Sequence, residues 1–121
     1  MSESLPAVVT HIDPKLRSSA SASLPQIYVY EHDNFQGDVA QFLGGGVSEL
    51  GPIGWDDKIS SIVVVSGTWR FYWDYRFGGD YLELTPGTYP SVEAVGNTAA
   101  AHPKPRSGWN DQISSFQPVA W

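Results

Sequence analysis

A nine-residue phrase rich in oxygen-bearing side chains occurs twice in this chain. GWDDKISSI at Gly54–Ile62 returns as GWNDQISSF at Gly108–Phe116, with six of nine positions identical. Each copy carries an acidic or amide pair followed by two serines, and these groups are hard oxygen donors. A cation such as Ca²⁺ takes six to eight oxygens from carboxylates, amides, hydroxyls and backbone carbonyls. The duplicated phrase therefore suggests two related calcium sites. Asp57 and Asp111, shared by both copies, are the first candidates, because a calcium loop needs formal negative charge. Asp56 and Asn110 either ligate directly or fold the loop by hydrogen-bonding their own backbone, as Asx side chains do in turns.

A second duplication indicates how the phrases are mounted. Tyr30, Phe35 and Gly37 in YEHDNFQG recur 42 positions later as Tyr72, Phe77 and Gly79 in YWDYRFGG. Glycine at the end of this pattern suits a backbone folding back with positive φ, and the two aromatics can cover the folded hairpin. Each half thus opens with a folded hairpin and closes with a loop and strand carrying the acidic and serine phrase. Repeats of this kind fix an architecture.

The order Y-x4-F-x-G followed by [D/N]-[D/N]-x-x-S-S, present twice, resembles the βγ-crystallin Greek-key domain, specifically its microbial calcium-binding members. The resemblance runs from about Gln26 to Trp121. It implies an all-β, two-sheet Greek-key β-sandwich of about eight strands, with motif one at about residues 26–66 and motif two at about 67–121. It also implies a ligand set. The backbone carbonyls of Lys58 and Gln112 and the hydroxyls of Ser60 and Ser114 complete the coordination, each serine reaching across to the partner motif's site. The carbonyl after the hairpin aromatic maps to Glu31 and Trp73. Glu31 adds a side-chain oxygen that Trp73 lacks, and Asp56-Asp57 outnumber the single acid of Asn110-Asp111, so the two sites are expected to differ.

Composition agrees with a small all-β domain. The 121 residues include twelve glycines, nine prolines and 41% apolar residues, a balance that favours strands and turns. Without cysteine there are no disulfides, thiolate sites or cysteine nucleophiles. The formal net charge is −6, and the cations Lys15, Arg17, Lys58, Arg70, Arg76, Lys104 and Arg106 are scattered. Nucleic acid is therefore not an expected partner, since phosphate binding needs clustered positive charge.

Strands are expected at Ile27–Tyr30, Val39–Leu43, Ile59–Val65, Trp69–Trp73, Tyr81–Leu84 and Ile113–Phe116, with Leu82 and Leu84 inward. Residues 1–25 show neither a period-2 nor a period-3.6 apolar pattern and read as a flexible leader. Ala7-Val8-Val9 is too short for a signal-peptide core, and no stretch approaches the roughly 20 apolar residues of a membrane span. The second half carries 12 extra residues: Gly37 to Asp56 spans 19 positions, Gly79 to Asn110 spans 31. The excess lies within Tyr89–Gly108, where Gly96–Pro105 has loop composition.

Trp55 and Trp109, just before the acidic pairs, read as core plugs rather than sugar-stacking platforms. Ser61 and Ser115 read as structural. His11, His32 and His102 are spread over the leader, a hairpin and the long connection, so no His-based catalytic arrangement is suggested, and zinc lacks ligands at suitable spacing. The expectation is a monomeric, non-enzymatic protein stabilised by two calcium ions, in a structural or stress-related role. The resemblance slightly favours an extracellular or cell-surface setting. The alternative is a protein-interaction module, a protease inhibitor or toxin-like domain, using the 89–108 loop.

Overall fold

The computed structural model describes residues 8–12 and 24–120. Strands β2 (Gln26–His32) and β3 (Gln36–Leu43) form the first hairpin, followed by β4 (Ser61–Ser66). The second half repeats this order with β5 (Thr68–Asp74), β6 (Gly78–Leu84), β7 (Gly87–Tyr89), a short helix α1 (Val92–Gly96), β8 (Ala101–His102) and β9 (Ser115–Ala120). β2, β3, β4 and β7 pair in one antiparallel sheet and β5, β6, β8 and β9 in the other, giving the expected two-sheet sandwich of eight strands. A ninth strand, β1 (Val8–Ile12), runs parallel along the outer edge of β3. The rest of the expected leader lies outside the described residues, apart from Leu24 and Pro25, which are buried.

The halves are interlocked. β7 comes from motif two yet pairs with β4 of motif one. In return Val47, in the loop after β3, bridges to Phe116 on β9 through two backbone bonds of 2.8 and 3.0 Å. Strand exchange of this kind makes each sheet depend on both motifs.

Alternation along the strands builds the core. Ile27 and Val29 are fully buried between partly exposed Tyr28 and Tyr30, and Leu82 and Leu84 are buried between Tyr81 and Glu83. Phe116 sits at the centre, its ring 4.8 Å from Phe42, 5.9 Å from Trp69 and 5.5 Å from Phe71. Trp55 and Trp109 close the core beneath the two loops, at 6% and 0% exposure. They are plugs, as their repeat-equivalent positions predict.

The hairpin turns are built alike. Single turns of 3-10 helix at Asp33–Phe35 and Tyr75–Phe77 hold Asn34 and Arg76 at φ 60° and 58°. Gly37 follows at φ +82°, where an added Cβ would lie 2.7 Å from the His32 ring. Its glycine is required by both backbone sign and space.

β4 and β9 begin at Ser61 and Ser115, two residues later than the apolar runs suggest. Asp57 and Asp111 adopt left-handed φ values of 55° and 58°, so Ile59-Ser60 and Ile113-Ser114 still belong to the curve of the loop. The segment expected as a loop in 89–108 contains α1, with Ser91 capping it through an Ala94 N–H bond of 3.2 Å, and the two-residue β8 against β6. Neither is long enough to leave a periodic signal.

Candidate metal centre

The two phrases lie side by side at one end of the sandwich. The Ser60 hydroxyl donates to Asp111 Oδ1 at 2.8 Å, and the Ser114 hydroxyl lies 3.4 Å from Asp57 Oδ1. Each serine thus faces the aspartate of the other motif. Ser60 and Ser114 are only 4% and 8% exposed, whereas both aspartates are at the surface. The result is two oxygen corners, each with a buried hydroxyl below and a carboxylate above.

Backbone pairing makes this arrangement rigid. Ser60 N donates to Tyr30 O and Ser114 N to Tyr72 O, both at 2.9 Å, which ties each phrase to its own hairpin at the residue before Glu31 or Trp73. Asp57 N donates to Ile113 O at 3.2 Å, linking the phrases directly. The second serines serve the hairpins. Ser61 Oγ donates to His32 O at 2.7 Å and accepts from Phe35 N at 3.0 Å; Ser115 does the same with Asp74 O at 2.6 Å and Phe77 N at 3.0 Å. These hydroxyls satisfy the backbone of the folded turns.

The remaining candidates divide. Glu31 points its carboxylate at its own hairpin, accepting from Asp38 N at 3.4 Å. Lys58 places its ammonium 3.1 Å from Asp38 and 4.9 Å from the Trp55 ring centre, so its positive charge is held by the hairpin. Asp56 lies by the hydroxyl of Tyr75, from the other motif's hairpin, and its Oδ1 is buried with no hydrogen-bond partner among the described residues. Asn110 reaches Asp111 Oδ2 at 3.4 Å, and Gln112 N donates to Trp109 O at 3.1 Å. Trp73 meets Trp109 edge to face at 4.9 Å.

The Asp57 carboxyl is raised from its ordinary value, first by partial desolvation and then by the charge of Asp56, with Ser114 opposing. A carboxylate in that state gains from a nearby cation. Among the described residues no three His, Cys, Asp or Glu side chains converge. The paired serine and aspartate side chains supply oxygen donors alone, one hydroxyl and one carboxylate per corner. This set fits a hard cation with flexible coordination and lacks the nitrogen or sulfur ligands of zinc.

Two further residues shape the centre. Glu93 on α1 accepts from Gly108 N at 2.8 and 3.1 Å and from Asn110 N at 3.0 Å, and these amides hold its carboxyl below its ordinary range. Arg106 pairs with Asp80 at 2.8 Å and covers the Trp73 ring at 4.1 Å. A cap-type serine at Ser91 followed by an acid in the first turn is a helix-start signal, and it was the available clue to Glu93.

Two folded hairpins, two strand-exchanging sheets and reciprocal serine–aspartate pairs define a two-motif Greek-key domain. The chain belongs to the beta/gamma-crystallin family, whose model matches residues 26–119. The beta/gamma-crystallin of Ciona intestinalis is 41% identical over 92 residues, covering 76% of this chain and 95% of that protein. A solved beta gamma crystallin structure from Ciona intestinalis superposes with a TM-score of 0.65 at 34% identity, covering 78% of this chain and 99% of the other. A solved betagamma-crystallin from an archaeon gives a TM-score of 0.63 at 39% identity, covering 78% and 98%. Human Beta-crystallin B1 is 32% identical over 108 residues, covering 86% of this chain; this chain spans 38% of that protein's length.

Proposed function

We propose that this chain is a calcium-binding βγ-crystallin domain that takes two Ca²⁺ ions and is stabilised by them, in a structural or stress-related role. The observation that carries the reading is the crossed pairing of Ser60 with Asp111 and Ser114 with Asp57. A hydroxyl and a carboxylate oxygen brought together across motifs give a cation two ligands at once, and the ion then staples the halves. Around one ion stand Asp57, Ser114 and the carbonyls of Glu31 and Lys58; around the other, Asp111, Ser60 and the carbonyls of Trp73 and Gln112. Asp56, whose buried oxygen has no partner among the described residues, adds charge to the first, and Asn110 is its neutral counterpart in the second.

Stabilisation follows from linkage. Ions that bind only the folded form add RT ln(1 + [Ca]/Kd), roughly 2.7 kcal/mol at a hundredfold excess over Kd. Magnesium is expected to bind more weakly, because an irregular carbonyl-rich cage does not offer its octahedral geometry. Calorimetric titration of chelator-stripped protein with calcium and with magnesium tests the reading. Two calcium ions per chain and weaker magnesium are expected; a single site, or equal affinity for both metals, counts against it.

A further inference from the structure

The 12-residue excess of motif two is built into the second loop rather than hung outside it. In motif one the loop folds on its own main chain, with Gly54 N bonded to Gly51 O and Trp55 N to Leu50 O, both at 3.0 Å. In motif two the equivalent Gly108 N is taken by the Glu93 carboxylate, together with Asn110 N. A carboxylate accepting several backbone N–H groups forms bonds stronger than neutral pairs. The anchor itself is fixed: Gly96, at the end of α1, packs so closely on Trp109 that a Cβ there would overlap the indole.

The electrostatics of the hairpins were redistributed in the same way. Asp38 and its repeat-equivalent Asp80 each hold a cation, but Lys58 comes from the phrase itself whereas Arg106 comes from the excess segment, because position 112 is glutamine. Arg106 also covers Trp73 and ties back through Arg106 N to Gly96 O at 2.7 Å.

We infer that Glu93 is the positioning residue of the second calcium site: anchored on the amides of Gly108 and Asn110, it fixes the loop that presents Asp111 and so sets that site's affinity without touching the ion. The inference rests on the calcium reading above. Glu93 is not itself a ligand, because its oxygens are already engaged by N–H groups whose dipoles would repel a cation at the same place.

The test is calcium titration of the parent, Glu93→Gln and Ser91→Ala, repeated with Glu93→Gln placed in Asp57→Asn and Asp111→Asn backgrounds. Glutamine keeps the length of the side chain but loses the anion. Expected is a roughly tenfold weakening of one site in Glu93→Gln, with the other within twofold, an effect retained in Asp57→Asn and absent in Asp111→Asn; tenfold corresponds to about 1.4 kcal/mol. Ser91→Ala, which loosens α1 but keeps the carboxylate, should lower the melting temperature in chelator and weaken the second site by less than Glu93→Gln does, with the first site unchanged. Glu93→Gln leaving both sites untouched, or weakening both equally, overturns the inference while the calcium reading stands. A parent that takes up no calcium overturns the calcium reading itself, and the inference with it.

Discussion

Ser60 and Asp111, 51 residues apart in sequence, meet at 2.8 Å, the serine buried and donating, the aspartate exposed and accepting. Their mirror pair, Ser114 and Asp57, spans 57 residues at 3.4 Å. The consequence is an exchange of effects. Ser114→Ala should weaken the ion held by Asp57, and Ser60→Ala the ion held by Asp111, each more than the site of its own motif. Calcium titrations in Asp57→Asn and Asp111→Asn backgrounds read this directly, and strictly local losses would mean two independent loops.

The neighbouring serines should behave oppositely. Ser61 and Ser115 are fully buried and serve only the hairpin backbones. Replacing either by alanine removes two part-buried hydrogen bonds from its turn, at a cost on the order of 1 kcal/mol per bond. That loss should be the same in calcium and in chelator, with affinities unchanged. A selective loss of one ion would assign these serines to the metal instead.

Backbone geometry changes what an alanine substitution at the aspartates measures. If the two aspartates served the ion alone, Asp57→Ala and Asp111→Ala would melt near the parent in chelator. Their φ values of 55° and 58° say otherwise, because alanine in the left-handed region costs roughly 1–2 kcal/mol while Asp and Asn tolerate it. In chelator both alanine variants should therefore melt about 4 °C or more below the parent, and both asparagine variants close to it. The calcium-dependent gain should fall more at Asp111, whose neighbour is Asn110, than at Asp57, whose neighbour is Asp56. Differential scanning with and without chelator separates the two contributions.

Acid should act on Asp57 in a direction opposite to the usual carboxylate. Burial and Asp56 raise its folded pKa above the unfolded value, so the folded state takes up the proton first. In chelator its contribution improves as pH falls through the folded pKa and is complete below the ordinary value. The stability of the parent minus that of Asp57→Asn should thus rise on acidification from pH 7 to about pH 4. Calcium reverses the sign, since it favours the ionised form, and the calcium-dependent gain should shrink over the same interval. A flat difference in chelator rejects the environment assigned to Asp57.

The fold was legible in the sequence because it is written twice. The spacing of Tyr30, Phe35 and Gly37 against Tyr72, Phe77 and Gly79 encodes the turns, and the alternation in Tyr81–Leu84 encodes burial; both are local signals that tertiary packing only reinforces. The crossed contacts of Ser60 and Ser114 were legible only through the family resemblance. Glu93 and Arg106 were not read because their roles depend on where a 20-residue connection folds back. The late starts of β4 and β9 escaped for a similar reason, since apolar Ile59 and Ile113 look like strand although a left-handed aspartate two residues earlier keeps them in the loop.

Strand β1 lies along β3 from Val8 opposite Val39 to Ile12 opposite Leu43. Without it, the eight-residue β3 would be the outermost strand of its sheet, offering a long ladder of unpaired amides and carbonyls to any neighbouring chain. With it, the exposed edge on that side is the five-residue β1, and the other edges are short or interrupted. β7 and β8 are three and two residues long, and β9 is interrupted by Pro118, which has no amide to give. Strand β1, which shares nothing with the repeat, thus replaces an eight-residue edge by a five-residue one.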